Sequence, residues 1–169
     1  RDRCYVCKTY IFNKFLDYLA NLEISVLFDG TNCDDLQDDR PGLKALEELG
    51  VVSPLVTAGF HKEDIRRVAK ALGLVCADLP SNSCLATRIE TDTAIDDQHL
   101  RSIEAMESYL HDRGYHGCRV RPRSKKVYIE LLAEDIEKIS KPQERSSIIT
   151  YFQENGYDVV MLELGGRTR

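Results

Sequence analysis

The sequence predicts an α/β protein in two parts: part of a parallel sheet with its helices over residues 1–93, then a small α+β domain over 94–169. Three observations carry this. Up to residue 73, helical apolar stripes alternate with short apolar runs, the order of a parallel α/β sheet. Beyond residue 95, two strand-like runs are adjacent and a helix separates them from a third, giving an α-β-β-α-β order. In between, residues 74–95 lose periodicity, and Pro80, Ser81, Asn82 and Ser83 read as loop. The boundary is placed at 93, to within about four residues.

Each element has its own signal. Ile11, Phe12, Phe15, Leu16 and Leu19 fall at helical spacing after a Cys-x-x-Cys. Ile24–Phe28 is a short apolar run stopped by Asp29-Gly30-Thr31-Asn32, which predicts a buried strand. Leu43, Leu46 and Leu49 make a second helical stripe, Val51–Leu55 a short strand kept to an edge or end by Pro54, and Ile65, Val68, Ala69 and Leu72 a third stripe closed by Gly73. Leu100, Ile103, Met106 and Leu110 predict a helix over about 96–113. Cys118–Arg123 and Lys126–Leu132 read as a hairpin or bulged pair. Pro142 suits the first turn of a helix carrying Ile148, Ile149 and Phe152, and Asp158–Leu164 reads as a last strand.

Composition narrows the function. The chain has 169 residues, 43% hydrophobic and 30% charged, enough for one globular domain with a small companion. No apolar run reaches the roughly 20 residues needed to span a bilayer. The N-terminus has neither a signal-peptide stretch nor an initiator Met, so a processed, clipped or partial chain is expected. A net charge of −5 argues against broad nucleic-acid or membrane-surface binding, so any anion site must be a local concentration of base. The six cysteines are irregularly spaced, which favours metal binding or catalysis in a reducing cytoplasm over a disulfide framework.

Four groups of residues could carry chemistry. Cys4 and Cys7 place two thiolates within reach of one metal at a helix N-terminus; zinc, redox, iron–sulfur and plain burial all remain open. Asp29, Gly30, Thr31 and Asn32 lie where open α/β sheets bind ligands, and suit a phosphate, a magnesium-bound water or a ribose hydroxyl, or an ordinary turn. Asp34, Asp35, Asp38 and Asp39 read as a solvated loop face. Arg119, Arg121 and Arg123 alternate along a strand and share a face, which suits bidentate recognition of phosphate or carboxylate, or an exposed ion-paired hairpin. His61, His99, His111 and His116 lack ligand spacing and read as surface residues.

In order, Arg-Cys-Tyr-x-Cys-Lys (3–8), Asp-Gly-Thr-Asn-x-Asp-Asp (29–35), Arg-Pro-Gly (40–42), Gly-Val-Val-Ser-Pro-Leu (50–55), Lys-x-x-Ile-Arg (62–66), Cys-Leu-Ala-Thr-Arg (84–88) and Arg-Val-Arg (119–121) resemble one family. It is that of the LarE-like ATP-dependent sacrificial sulfur transferases of lactate racemase maturation, in the PP-loop pyrophosphatase superfamily. The resemblance runs from residue 3 to about 164. It implies a partial PP-loop (adenine nucleotide alpha hydrolase-like) domain over 1–93 and a small α+β substrate-binding or oligomerisation domain over 94–169. It implies activation of a pyridinium dicarboxylate mononucleotide as an acyl-adenylate, then displacement of AMP by sulfur to give a thiocarboxylate, a nickel ligand in the nickel-pincer cofactor.

By this resemblance Cys4, Cys7 and Cys84 would ligate a 4Fe-4S cluster bearing a sulfide, or Cys84 would give up its own sulfur. Thr87, Arg88, Arg119 and Arg121 would bind the substrate phosphate, and Glu107 would act in metal or substrate handling. Asp29, Gly30, Thr31 and Asn32 would face ATP and Mg2+. Cys33, Cys76 and Cys118 match no motif of the family and are expected in core or loop. The Ser-Gly-Gly-x-Asp-Ser PP-loop is absent from this sequence, the ending stops early, and His61 stands where Thr is usual. The expectation is therefore a chain truncated at both ends that is inactive alone, or one completed by a separate PP-loop polypeptide; a homo-oligomer without membrane or nucleic-acid partners is expected. A tRNA-thiolating PP-loop enzyme, which would need a basic surface, and a non-catalytic zinc-binding remnant are the competing readings.

Overall fold

The computed structural model describes residues 2–37 and 40–167; Asp38 and Asp39 of the expected acidic loop face lie outside them. It is mixed α/β, with seven α-helices and a three-stranded mixed sheet among the described residues. None of those helices is long and apolar enough to cross a membrane. The chain divides into two compact units, Arg1–Asp78 and Leu79–Arg169. Residues 79–92 lie in the second unit, where Arg88 is buried on Glu107 and Pro80 packs on Gly117.

The first unit is mainly helical. Helix α1 (Arg3–Ala20) packs on α2 (Pro41–Glu48), and Tyr5 Oη donates to Glu48 at 2.5 Å across the pair. A short α3 (Pro54–Thr57) and α4 (Lys62–Ala71) follow. The two expected parallel strands are reduced here to one bridge, Phe28 beside Val52, and Pro54 starts a helix rather than ending a strand. The correction has a simple cause. A parallel pair is stable when neighbours cover both its faces, and Ile24, Val26 and Phe28 are 48%, 47% and 63% exposed.

The second unit follows the expected order. Helix α5 (Asp97–His111) starts where the Asp96 carboxylate accepts from His99 N at 2.7 Å, satisfying one free donor of the first turn. Strands β1 (Arg119–Arg123) and β2 (Lys126–Glu130) form an antiparallel pair through the tight turn at Ser124. Helices α6 (Ile136–Ser140) and α7 (Pro142–Glu154, with proline in its first turn) lead to β3 (Val159–Leu162), which lies parallel to β2. The order β1-β2-β3 leaves β1 at an edge. Val120, Val127 and Ile129 turn one sheet face into a core with Ile103, Met106 and Leu110 of α5 and Ile148 and Phe152 of α7. Period-2 alternation then sends Arg119, Arg121 and Arg123 to the other face.

Candidate anion-binding site

The arginines of β1 and the turn Leu85–Arg88 form one constellation in the second unit. An edge strand exposes unpaired backbone groups, and here a side chain takes one of them: Glu107, from α5, accepts from Val120 N at 2.9 Å. The same carboxylate holds Arg88 bidentately, with Nε to Oε1 at 2.7 Å and Nη2 to Oε2 at 3.1 Å. Arg88 is fully buried and Glu107 is 5% exposed. Glu107, expected to handle metal or substrate, therefore sits inside the unit with both oxygens engaged.

Around Arg88 the turn is tied to itself. The Cys84 carbonyl accepts from Thr87 N at 2.9 Å and Thr87 Oγ1 at 2.8 Å, so Cys84 caps the turn through its backbone while its side chain is exposed. Arg88 Nη1 donates to Ser83 Oγ at 2.7 Å and Thr87 Oγ1 at 2.9 Å. Arg121 binds Glu130 through Nε and the Thr87 carbonyl through Nη1 at 2.5 Å. Arg123 pairs with Glu90 at 2.8 Å and donates to the Arg88 carbonyl at 2.8 Å. Each of these guanidiniums has a carboxylate.

Arg119 differs. It stands opposite Glu130 in the strand register, yet Glu130 turns to Arg121. Arg119 Nε is buried without a hydrogen-bond partner, and no carboxylate pairs with this arginine among the described residues. Burial, then the nearby charges of Arg167 and Arg88, hold its pKa below the usual arginine value. A half-buried guanidinium of this kind has donors free to take an anion. Ser83, which accepts from Arg88, and Arg167 also belong to this neighbourhood.

The remaining candidates are placed as follows. Cys4 and Cys7 are exposed on the first turn of α1. Both Asp29 oxygens are in use, Oδ1 accepting from Ser53 Oγ at 2.6 Å and Oδ2 from Thr31 Oγ1, while Asn32 Oδ1 accepts from Asp34 N at 3.0 Å. Thr31 is buried, and the space around Gly30 is open. Among the described residues no group of three or more His, Cys, Asp or Glu side chains is arranged to hold a metal ion. Cys118 is buried, its thiol pushed up to about 12 by burial and then by Glu107. His61 and His99 are exposed and pair with Asp34 and Asp96.

Fold and site together define a mixed α/β protein with a cluster of arginines at one end of its small sheet. No protein-family model matches the chain. It is 35% identical over 163 residues to an uncharacterized protein of Methanocaldococcus jannaschii (96% of this chain, 63% of that protein) and 33% identical over 165 residues to an uncharacterized protein of Synechocystis (98% and 62%). It is also 30% identical over 173 residues to pyridinium-3,5-bisthiocarboxylic acid mononucleotide synthase of Lactiplantibacillus plantarum (98% and 59%). The chain thus spans about three-fifths of the length of the curated relatives it matches.

Proposed function

We propose that this chain is part of a sulfur transferase that converts a pyridinium dicarboxylate mononucleotide to its thiocarboxylate, and that its second unit binds the substrate's phosphate. The observation that carries the reading is Arg119, half-buried with an unpartnered Nε, beside three arginines that are already held. The likeness to a synthase named for a pyridinium bisthiocarboxylic acid mononucleotide supports the substrate class. In this reading Arg119 grips the phosphate, Arg121, held by Glu130 and the Thr87 carbonyl, braces the turn beside it, Thr87 adds a hydroxyl, and Arg88 sets the turn.

The chemistry belongs to the whole protein. A substrate carboxylate oxygen attacks the α-phosphorus of ATP and pyrophosphate leaves. A sulfur nucleophile then attacks the acyl carbon and AMP leaves. If Cys84 is that nucleophile, a base then takes its Cα proton as the Cβ–S bond breaks, leaving dehydroalanine and releasing the thiocarboxylate. The exposed Cys84 side chain fits this role. In the alternative, Cys4 and Cys7, exposed one helical turn apart, would supply two thiolates to an iron–sulfur cluster. Such a cluster would supply a replaceable sulfide.

The test is calorimetric titration with nicotinic acid mononucleotide, and with nicotinic acid, which lacks the phosphate. The mononucleotide should bind more tightly, and Arg119→Ala should weaken it at least about tenfold, the scale of one charge-assisted hydrogen bond. The exposed Arg101→Ala should leave it unchanged. Equal binding of the two compounds, or full binding by Arg119→Ala, would sink the phosphate assignment.

A further inference from the structure

A hollow in the second unit lies at the far end of β1 from Arg119. Arg119 opens that strand and Arg123 closes it, and a rise of about 3.3 Å per residue puts roughly 13 Å between their backbones. The hollow has a volume of about 240 Å3 and is walled by α5, the segment after the Leu85–Arg88 turn, the β1–β2 turn and Tyr157. Ile103 and Pro122 make part of the wall apolar. Pockets for drug-sized molecules begin at roughly 300 Å3, so this one has room for a single ring and its substituents.

Each charged side chain on the wall already has a partner. Arg123 Nε holds Glu90 Oε1 at 2.8 Å, and His99 Nδ1 lies 3.0 Å from an Asp96 carboxylate oxygen. The pairing favours a neutral ligand over an ionic one. What the wall offers is hydrogen bonding: the hydroxyls of Thr93, Ser102, Ser124 and Tyr157 line it, and none has a partner among the described residues. Glu90 Oε2 has none either. A carboxylate fixed by an arginine through one oxygen and open at the other is placed to accept from sugar hydroxyls, as an acidic residue does in dinucleotide-binding folds. The rim is also strained. Ser124 has φ +53°, and Asp92, beside Thr93, has φ +64°. Residues held in this region gather at ligand sites.

We infer that this hollow binds a neutral ring carrying a vicinal diol, as in a ribosyl group, with Glu90 Oε2 accepting from the diol. The probes are uridine, 2′-deoxyuridine and methyl β-D-ribofuranoside, titrated into the whole isotope-labelled chain and followed by backbone-amide NMR. None of them carries a phosphate, so the test is independent of the phosphate reading above. Uridine should shift the amides of Thr93, Ser102, Ser124 and Tyr157 to saturation. 2′-Deoxyuridine should bind about tenfold more weakly, the scale of one lost hydrogen bond to a charged group. Glu90→Gln should weaken uridine by about the same factor. Ser102→Tyr fills the hollow from an exposed position of α5, where folding tolerates the change, and should abolish binding.

The outcomes are distinct. Methyl β-D-ribofuranoside binding as well as uridine makes the ligand the sugar itself, and tighter binding of uridine makes it a ribonucleoside whose base lies outside the hollow; both keep the diol site. Equal binding of uridine and 2′-deoxyuridine overturns the inference. So does full uridine affinity in Ser102→Tyr, and so do shifts that never saturate or that fall on other residues.

Discussion

Replacing Glu107 by glutamine should cost the second unit a large part of its stability, about 3–5 kcal/mol. The carboxylate accepts two hydrogen bonds from Arg88 and one from Val120 N, in a place where Arg88 is fully buried and Glu107 is 5% exposed. Glutamine keeps the shape but offers one acceptor and no charge, so the Arg88 guanidinium loses its counter-ion inside the unit. Breaking a buried pair from one side costs about 3–5 kcal/mol. At roughly 0.05–0.15 kcal/mol per residue, a unit of this size has about 5–14 kcal/mol to lose. With a urea m-value of about 1–3 kcal/mol/M, a loss of 3 kcal/mol moves the midpoint down by about 1–3 M.

Urea melts read by hydrogen exchange of β1 and α5 peptides would measure this for the second unit specifically. The double variant Arg88→Met/Glu107→Leu should recover part of the loss, because removing both charges leaves neither stranded. A midpoint for Glu107→Gln within about 0.3 M of wild type, or a double variant worse than the single one, would refute the argument. Glu107 would then be free for the metal or substrate role.

Three other outcomes are expected. Native-state alkylation at pH 8 should label the exposed Cys4, Cys7, Cys76 and Cys84 well before Cys118, whose thiol is buried and pushed up to about 12; peptide mass mapping reads the order. Anaerobic iron and sulfide reconstitution separates the two sulfur sources: about four irons per chain, lost in Cys84→Ala, would favour the cluster, and zinc or no metal in wild type would favour a sacrificial Cys84 or an inert remnant. The His61 pKa is raised by its hydrogen bond to Asp34, whose own pKa is lowered by His61, so Asp34→Asn should bring the His61 titration seen by NMR down toward its ordinary value. The sign follows from linkage: His61 stabilises below its unfolded pKa and loses this as pH rises through the folded one, while Asp34 loses its share as pH falls through its folded pKa. The pair therefore helps most between the two.

The second unit was legible because its signals are local. Ile103, Met106 and Leu110 fall at helical spacing and are all buried, Val120, Val127 and Ile129 alternate with polar neighbours, and Pro142 marks a helix start. The first unit misled for a physical reason. Ile24–Phe28 reads as a buried strand from composition alone, but burial needs covering neighbours, and the described residues supply a single bridge. The arginine row was visible as a pattern, with Arg119, Arg121 and Arg123 looking equivalent. Their difference lies in which carboxylates reach them, and Glu90, Glu107 and Glu130 come from three separate segments. Arg167 had no local signal: its place depends on the return of the chain beside Leu132.

That pattern of pairing also separates architecture from recognition. An arginine with a bidentate acid, such as Arg88 on Glu107, is neutralised and acts as a strut: it ties the turn Leu85–Arg88 to α5 while Glu107 covers the open edge of β1. Arg121 and Arg123 extend this strut, since each pairs with an acid and also holds a backbone carbonyl of the turn. Once these are spent on structure, the guanidinium left with an unpartnered donor is Arg119. This difference in pairing is what the phosphate reading rests on: Arg119 is half-buried with an unpartnered Nε, while acids are supplied to three arginines beside it. The same reasoning predicts how the site fails: substitutions at Arg88 or Glu107 should act through stability, and those at Arg119 through affinity with little change in melting.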